Sequence, residues 1–171
     1  MILIALLLVI SGCGANNSTD DTTEAISLNQ VGEYSGAPYV YLNNMPYFTD
    51  EEKENTKPFE NYSSLDDLGR CGVAFANIYK ELMPTEERGP IGQIKPSGWH
   101  TVKYNGIIDG NYLYNRCHLI GYQLTGENAN ELNLITGTRY LNTEGMEGFE
   151  NTVGDYVAEM ENHVVWEDTK L

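Results

Sequence analysis

Tyr112-Leu113-Tyr114-Asn115-Arg116-Cys117-His118-Leu119-Ile120-Gly121 is the stretch on which the fold turns. Tyr112 to His118 reads as a strand that ends in a basic residue and an imidazole. Just upstream, Trp99 to Ile108 is rich in β-formers, with Tyr104-Asn105-Gly106 offering a bend. Asp109-Gly110 between the two runs is a strong hairpin signal, so the pair is expected as two adjacent strands. Downstream, Met146, Phe149, Val153, Tyr156, Val157 and Met160 recur at helical spacing. That predicts an amphipathic helix whose apolar stripe packs into the core. The order is therefore strand, strand, helix.

This order strings together a set of chemical groups. His118 closes the second strand, Thr138-Arg139-Tyr140-Leu141-Asn142 follows, and the helix carries Glu150. Hydrolysis of a phosphodiester needs a base for water, a cation at the developing charge and donors on the phosphate. His118, Asn142 with a hard metal ion, and Arg116 or Arg139 supply these in turn. An amide oxygen is a hard, neutral ligand that suits Mg²⁺. Being neutral, it leaves the ion's charge largely uncancelled.

Charge first argues against a polyanionic partner. The 171 residues carry 10 Lys and Arg against 25 Asp and Glu, a formal charge of −15. The charge is unevenly spread. Residues 1–69 hold eleven acids and two bases, and residues 143–171 hold eight acids and one base. Residues 70–142 hold six acids and seven bases, including all four arginines: Arg70, Arg88, Arg116 and Arg139. Acidic flanks favour solubility, while the middle has the composition of an anion site.

Length fits one domain, and 41% hydrophobic residues suffice for a core. Ile2 to Ile10 is an apolar run too short to span a bilayer, and it suits a signal peptide. No Lys or Arg precedes it. Ile10-Ser11-Gly12-Cys13 resembles a bacterial lipobox, which would make Cys13 the lipidated residue. The expected organisation is a lipoprotein-type signal over 1–13, a polar linker over 14–30 and one domain over 31–171. A protein of this kind sits on the extracellular face of the membrane, or is secreted.

Cys71 and Cys117 then remain as a disulfide or as two buried thiols. Tyr39-Val40-Tyr41 is a short strand candidate. Residues 50–57 are acidic and expected to be exposed. Ser64-Leu65-Asp66-Asp67 has capping-box spacing and predicts a short helix stopped near Gly69. Residues 71–79 predict a strand. Pro84, Gly89-Pro90, Gly92, Pro96 and Gly98 mark a long loop.

With these blocks in view, the chain resembles the DNA/RNA non-specific endonucleases of the ββα-metal (His-metal finger) class, in particular secreted and prophage-encoded DNases of Gram-positive bacteria. The resemblance runs from about Ser27 to His163. It rests on Leu68-Gly69-Arg70-Cys71-Gly72-Val73-Ala74, Arg88-Gly89, Pro96-Ser97-Gly98-Trp99-His100 and Tyr114 to Gly121. It continues through Glu127-Asn128-Ala129-Asn130, Asn133 to Asn142 and Phe149-Glu150-Asn151.

It implies an α+β fold with a central antiparallel sheet, and cleavage of DNA, with RNA as a second substrate. It implies Mg²⁺ as cofactor, with Mn²⁺ as the alternative. His118 ends the family's Asp-Arg-Gly-His motif and would be the general base. Asn142 would ligate the metal, and Glu150 would act on it through water or orient the helix. Arg116 and Arg139 would bind phosphate, and Asn133 would support the catalytic group. Asn115 and Cys117 stand where the commoner motif has Asp and Gly, so that Asp's charge is missing.

Several readings stay open. Arg88 either touches phosphate or pins its loop. Glu161 is a substitute for Glu150. His100 and His163 read as structural or exposed, and Trp99 as packing rather than a base-stacking platform. Every proposed contact addresses phosphate, metal or water, which implies weak sequence preference. Val164-Val165-Trp166 begins a strand close to the last residue, so C-terminal strands of the sheet are expected to be missing through truncation or a frameshift. The rival readings are a truncated, inactive relative and a surface lipoprotein that only binds an anion.

Overall fold

The computed structural model describes residues 33–37, 48–160 and 162–168. The expected signal peptide, Cys13, the expected 14–30 linker, the Tyr39-Val40-Tyr41 strand candidate and Glu161 lie outside these residues. Helix α1 spans Asp50–Glu54, β1 Phe59–Tyr62, β2 Ala74–Ile78 and β3 Tyr114–His118. Helix α2 spans Tyr122–Thr125 and β4 Leu134–Thr138. A π-helical turn over Leu141–Met146 runs into α3, Glu147–Met160, and β5 follows over Val164–Asp168.

The strands form two antiparallel sheets, ordered β1-β2-β5 and β3-β4. Strand β2 is central and covered on both faces, so its pattern is apolar rather than alternating. Ala74, Ala76 and Ile78 point to the core. On the other face Phe75 meets Phe59 and Phe48, at ring separations of 5.2 and 6.2 Å. There the buried Asn77 donates to Asn55 O and Lys57 O, at 2.6 and 3.1 Å. Opposite β2, the core is filled by Leu119 and Ile120 after β3, Leu124 of α2 and Val157 of α3. The stretch just beyond His118 is therefore the inner wall of the molecule.

The strand–strand–helix unit is present, but its strands are not the expected two. Strand β3 pairs with β4, from Tyr114↔Thr138 to His118↔Leu134. Residues 99–108 contribute one rung, Lys103↔Tyr112. There the chain turns repeatedly: Tyr104 O accepts from both Ile107 N and Ile108 N, and Gly106, Gly110 and Asn111 all have positive φ. Strand β4 was masked in the sequence by Gly137, which reads as a breaker. A Cβ on Gly137 would lie 2.6 Å from Cys117 Sγ and 3.3 Å from Leu141 Cδ2. Glycine is thus what lets β4 lie against β3.

Three other expectations change. Residues 64–69 form a turn, not a helix. Asp66 Oδ1 accepts from Leu68 N and Arg70 N, at 3.0 and 2.8 Å, so its side chain takes donors that a helix would use. The operating capping box is Thr49 with Glu52, at the start of α1 inside the acidic stretch. In α3 the inward residues are Glu150, Gly154 and Val157, whereas Phe149, Tyr156 and Met160 are 39%, 41% and 64% exposed. The helix is rotated so that an acid lies on its buried stripe.

Cys71 and Cys117 are both buried and are not bridged to each other, and Cys71 Sγ lies 3.3 Å from Glu131 O and from Leu134 O. Val164–Asp168 does form the expected strand, at the edge of the larger sheet against β2. Among the described residues, no helix is long and apolar enough to cross a membrane.

Because Gly137 sits against Cys117, Gly137→Ala should destabilise the fold by roughly 1–3 kcal/mol through overpacking. The loss should shrink in a Cys117→Ala background, where the sulfur is gone. Urea midpoints of the four proteins measure this. Equal losses in both backgrounds would refute the contact as the cause.

Candidate active site

His118 ends β3 and is 6% exposed. Its Nε2 lies 2.8 Å from the backbone oxygen of Asn128. A carbonyl oxygen only accepts, so Nε2 carries the proton and Nδ1 presents a lone pair. The Arg88 guanidinium reaches that lone pair, with Nη2 at 3.4 Å. Burial holds the imidazole below the ordinary histidine range; the Asn128 carbonyl opposes the shift and the Arg88 charge adds to it. The ring is thus neutral, oriented and basic at Nδ1.

Beside it lies a cavity of about 110 Å³, lined by His118, Arg88, Asn142, Glu147, Glu150 and Gln123, with Gly121 and Tyr122. Asn142 comes from the π-helical turn, a local widening of the helix that often marks functional positions. Glu150 stands one helical turn beyond Glu147, and its Oε2 accepts from Gln123 Nε2 at 3.0 Å. Burial pushes the Glu150 carboxyl above its ordinary range; the Gln123 hydrogen bond opposes this and the Glu147 charge adds to it. Gly121 makes room for the carboxylate. A Cβ there would meet Glu150 Cδ at 2.7 Å and Oε2 at 2.8 Å.

A larger cleft of about 670 Å³ shares Arg88, Asn142 and Glu147 with the cavity and adds Arg116, Arg139 and several aromatic side chains. The three arginines are not equivalent there. Arg139 Nη2 pairs with Asp109 at 2.8 Å, at an exposed edge, and holds that carboxyl below the ordinary range. Arg116 donates through Nε to Ile94 O and through Nη2 to Gly92 O, and its guanidinium lies over the Trp99 ring. Arg88 alone lines both spaces.

Asn133 is placed differently from the other expected site residues. It is fully buried behind the site and lines neither space. Its Oδ1 accepts from Ile120 N at 2.9 Å and its Nδ2 donates to Ile120 O at 3.0 Å. It therefore positions the chain after His118 and touches no reacting group. Sequence reasoning missed Glu147, Gln123, Asn128 and Gly121. Only Glu147 had a signal, because it precedes Glu150 by three residues on a predicted helix face.

The donor set fits a hard divalent cation. An amide oxygen and two carboxylates surround a small polar space, which suits an ion that keeps much of its own water. Among the described residues no three His, Cys, Asp or Glu side chains form a ligand cluster.

An antiparallel pair feeding a helix, with the histidine on the strand and the amide at the helix entry, is the ββα-metal nuclease architecture. Residues 48–168 match the model of the family described as DNA/RNA non-specific endonuclease, and the chain belongs to that family. The fold is similar to that of NucA from Streptococcus agalactiae, solved with magnesium ion bound. The TM-score is 0.60 at 24% identity, over 68% of this chain and 58% of that one. The same nuclease with no metal bound gives 0.58 at 22% identity, over 70% and 59%. Sda1 nuclease with bound zinc ion gives 0.55 at 25% identity, over 71% and 68%. The chain thus spans less than two thirds of the NucA length. No curated protein sequence matches it.

Replacing Asn133 by Ala leaves a buried N–H and a buried C=O of Ile120 without partners. Asn133→Ala should destabilise by roughly 1–3 kcal/mol, read from the denaturant midpoint at constant slope. Unchanged stability would show that Asn133 is not the clamp.

Proposed function

We propose that the chain is a metal-dependent endonuclease that hydrolyses phosphodiester bonds of DNA, and of RNA as a second substrate, with weak sequence preference. The observation that carries this reading is the His118 ring, locked by the Asn128 carbonyl with its basic Nδ1 toward Arg88 and the polar cavity. Family membership supports the same activity.

Nδ1 of His118 takes a proton from water as the water oxygen bonds to phosphorus and the ester P–O bond breaks, and the leaving oxygen takes up a proton from solvent. The products are a phosphate monoester end and a hydroxyl end. Arg88 lies between the base and the larger cleft, where a phosphate anion competes for its donors. Arg139 offers a second cation at the far side. Arg116 takes the supporting part in this scheme, because its edge is committed to backbone carbonyls.

Asn142 would hold the cation, with Glu147 beside it and Glu150 acting through water. A bound Mg²⁺, or Mn²⁺ in its place, would supply positive charge to the phosphate. Similarity to a magnesium-bound nuclease favours Mg²⁺, while the zinc in Sda1 makes metal choice an experimental matter. The proposal extends to a surface lipoprotein anchored through Cys13. A Cys13→Ser variant should move from the membrane fraction to the medium; retention at the membrane would refute the anchor.

Nicking of plasmid DNA with Mg²⁺, and its loss with a chelator, tests the activity. Loss of a general base lowers rates by about 10²–10⁴, so His118→Ala should fall in that range, and full turnover would refute the mechanism. The pH profile carries the sign of the shift. A base whose pKa is lowered stays neutral further into acid, so activity should fall only as pH drops through a midpoint below 6.5. An acid limb centred above that value would contradict the buried, arginine-flanked base.

A further inference from the structure

The larger cleft has a wall that the hydrolytic scheme does not use. Trp99 is half-buried and lines it, and the Arg116 guanidinium carbon stands 3.8 Å from the centroid of the indole. Arg116 is held in that place by its edge, through Nε to Ile94 O and Nη2 to Gly92 O at 3.0 Å. A guanidinium bound by its edge and stacked by its face is poorly placed to fork a phosphate. It is well placed to keep an aromatic plane rigid. Tyr112 and Tyr114 line the same cleft, and Lys103 Nζ lies 4.6 Å over the Tyr112 ring. Aromatic rings backed by cations thus recur in the lining of this space.

That combination is the recognition chemistry of unpaired nucleic acid. Bases present a π-face to aromatic rings and guanidinium planes, while neighbouring arginines follow the backbone. In a duplex those faces are already stacked on one another and turned inward.

We propose that the stacked Trp99–Arg116 pair is a wall for one unpaired nucleobase, so that a single strand is held by base and phosphate together. This rests on the nucleic-acid reading above. It assigns Trp99 a binding role where the sequence alone reads packing, and it makes the protein favour unpaired over paired strands.

The test uses the full chain at low ionic strength with a chelator present, so that no strand is cut. An oligothymidylate and an abasic oligomer of equal length are titrated in turn. Tryptophan emission is followed against a Trp99→Phe control, because Trp166 is the only other tryptophan. The oligothymidylate should quench Trp99 emission and bind more tightly than the abasic oligomer. Trp99→Leu, which keeps apolar bulk, should lose about tenfold in affinity for the oligothymidylate and nothing for the abasic oligomer. Trp99→Phe should retain most of the preference.

Equal affinity of the native chain for both oligomers would overturn the proposal without any variant. So would an equal loss on both in Trp99→Leu. Plasmid nicking with Mg²⁺ on the same preparations keeps the two readings apart. Base-dependent binding without nicking refutes hydrolysis alone, and nicking without base-dependent binding refutes the stacking wall alone.

Discussion

Two hydrogen bonds from one side chain hold the rest in place. Asn133, at the entrance to β4, closes on both backbone groups of Ile120, 13 residues earlier. A third bond, from Leu119 N to Asn133 O at 3.0 Å, completes the clamp. Buried backbone groups must find partners, and β3 has already ended at His118, so no ladder serves this segment. Asn133 serves it instead. The segment so held contains core residues Leu119 and Ile120 and also Gly121, and it follows directly on His118. Core packing and site geometry are therefore one constraint here.

That clamp lets a charged site sit against an apolar interior. Glu150 lies on the buried stripe of α3, where burial pushes its carboxyl toward the neutral form. The stripe is possible because Gly121 keeps the facing backbone close. A Cβ on Gly154 would stand 3.6 Å from Leu124 Cδ2, ordinary contact, whereas one on Gly121 would collide with the carboxylate. His118 is likewise moved toward neutrality, its pKa shifted downward rather than upward, by desolvation and by Arg88. The net charge of −15 does not describe this site. Acids gather in the flanks, and around the histidine the nearest charge is a guanidinium.

The site's members were legible because their residue types carry their chemistry. His118, Asn142, Glu150 and Arg88 all line the small cavity that the strand–strand–helix order pointed to. Pairing was harder to read. The 99–108 run is as β-rich as a strand, yet its turns leave a single rung. Strand β4 hides behind a glycine whose value lies in contact with Cys117, which is invisible without the partner strand. The Ser64–Asp67 pattern failed for a local reason, since the Asp66 carboxylate captured the amides of its own turn. The helix was predicted correctly, but its rotation was not, because periodicity marks apolar residues and the fold buried a glutamate instead.

By itself the sequence determined which groups are available and in what order. It placed an imidazole at a strand end, an amide before a helix, an acid on that helix, and all four arginines in the one segment that is not acidic. Those are properties of composition and spacing, and they need no partner. Tertiary structure decided which nitrogen of His118 presents a lone pair, because only the Asn128 carbonyl assigns the proton to Nε2. It also separated arginines that look alike in sequence: Arg88 on His118 Nδ1, Arg139 on Asp109, Arg116 stacked on Trp99. Proton location and side-chain partnership depend on groups 10 to 30 residues apart meeting in space, and no local pattern encodes that meeting.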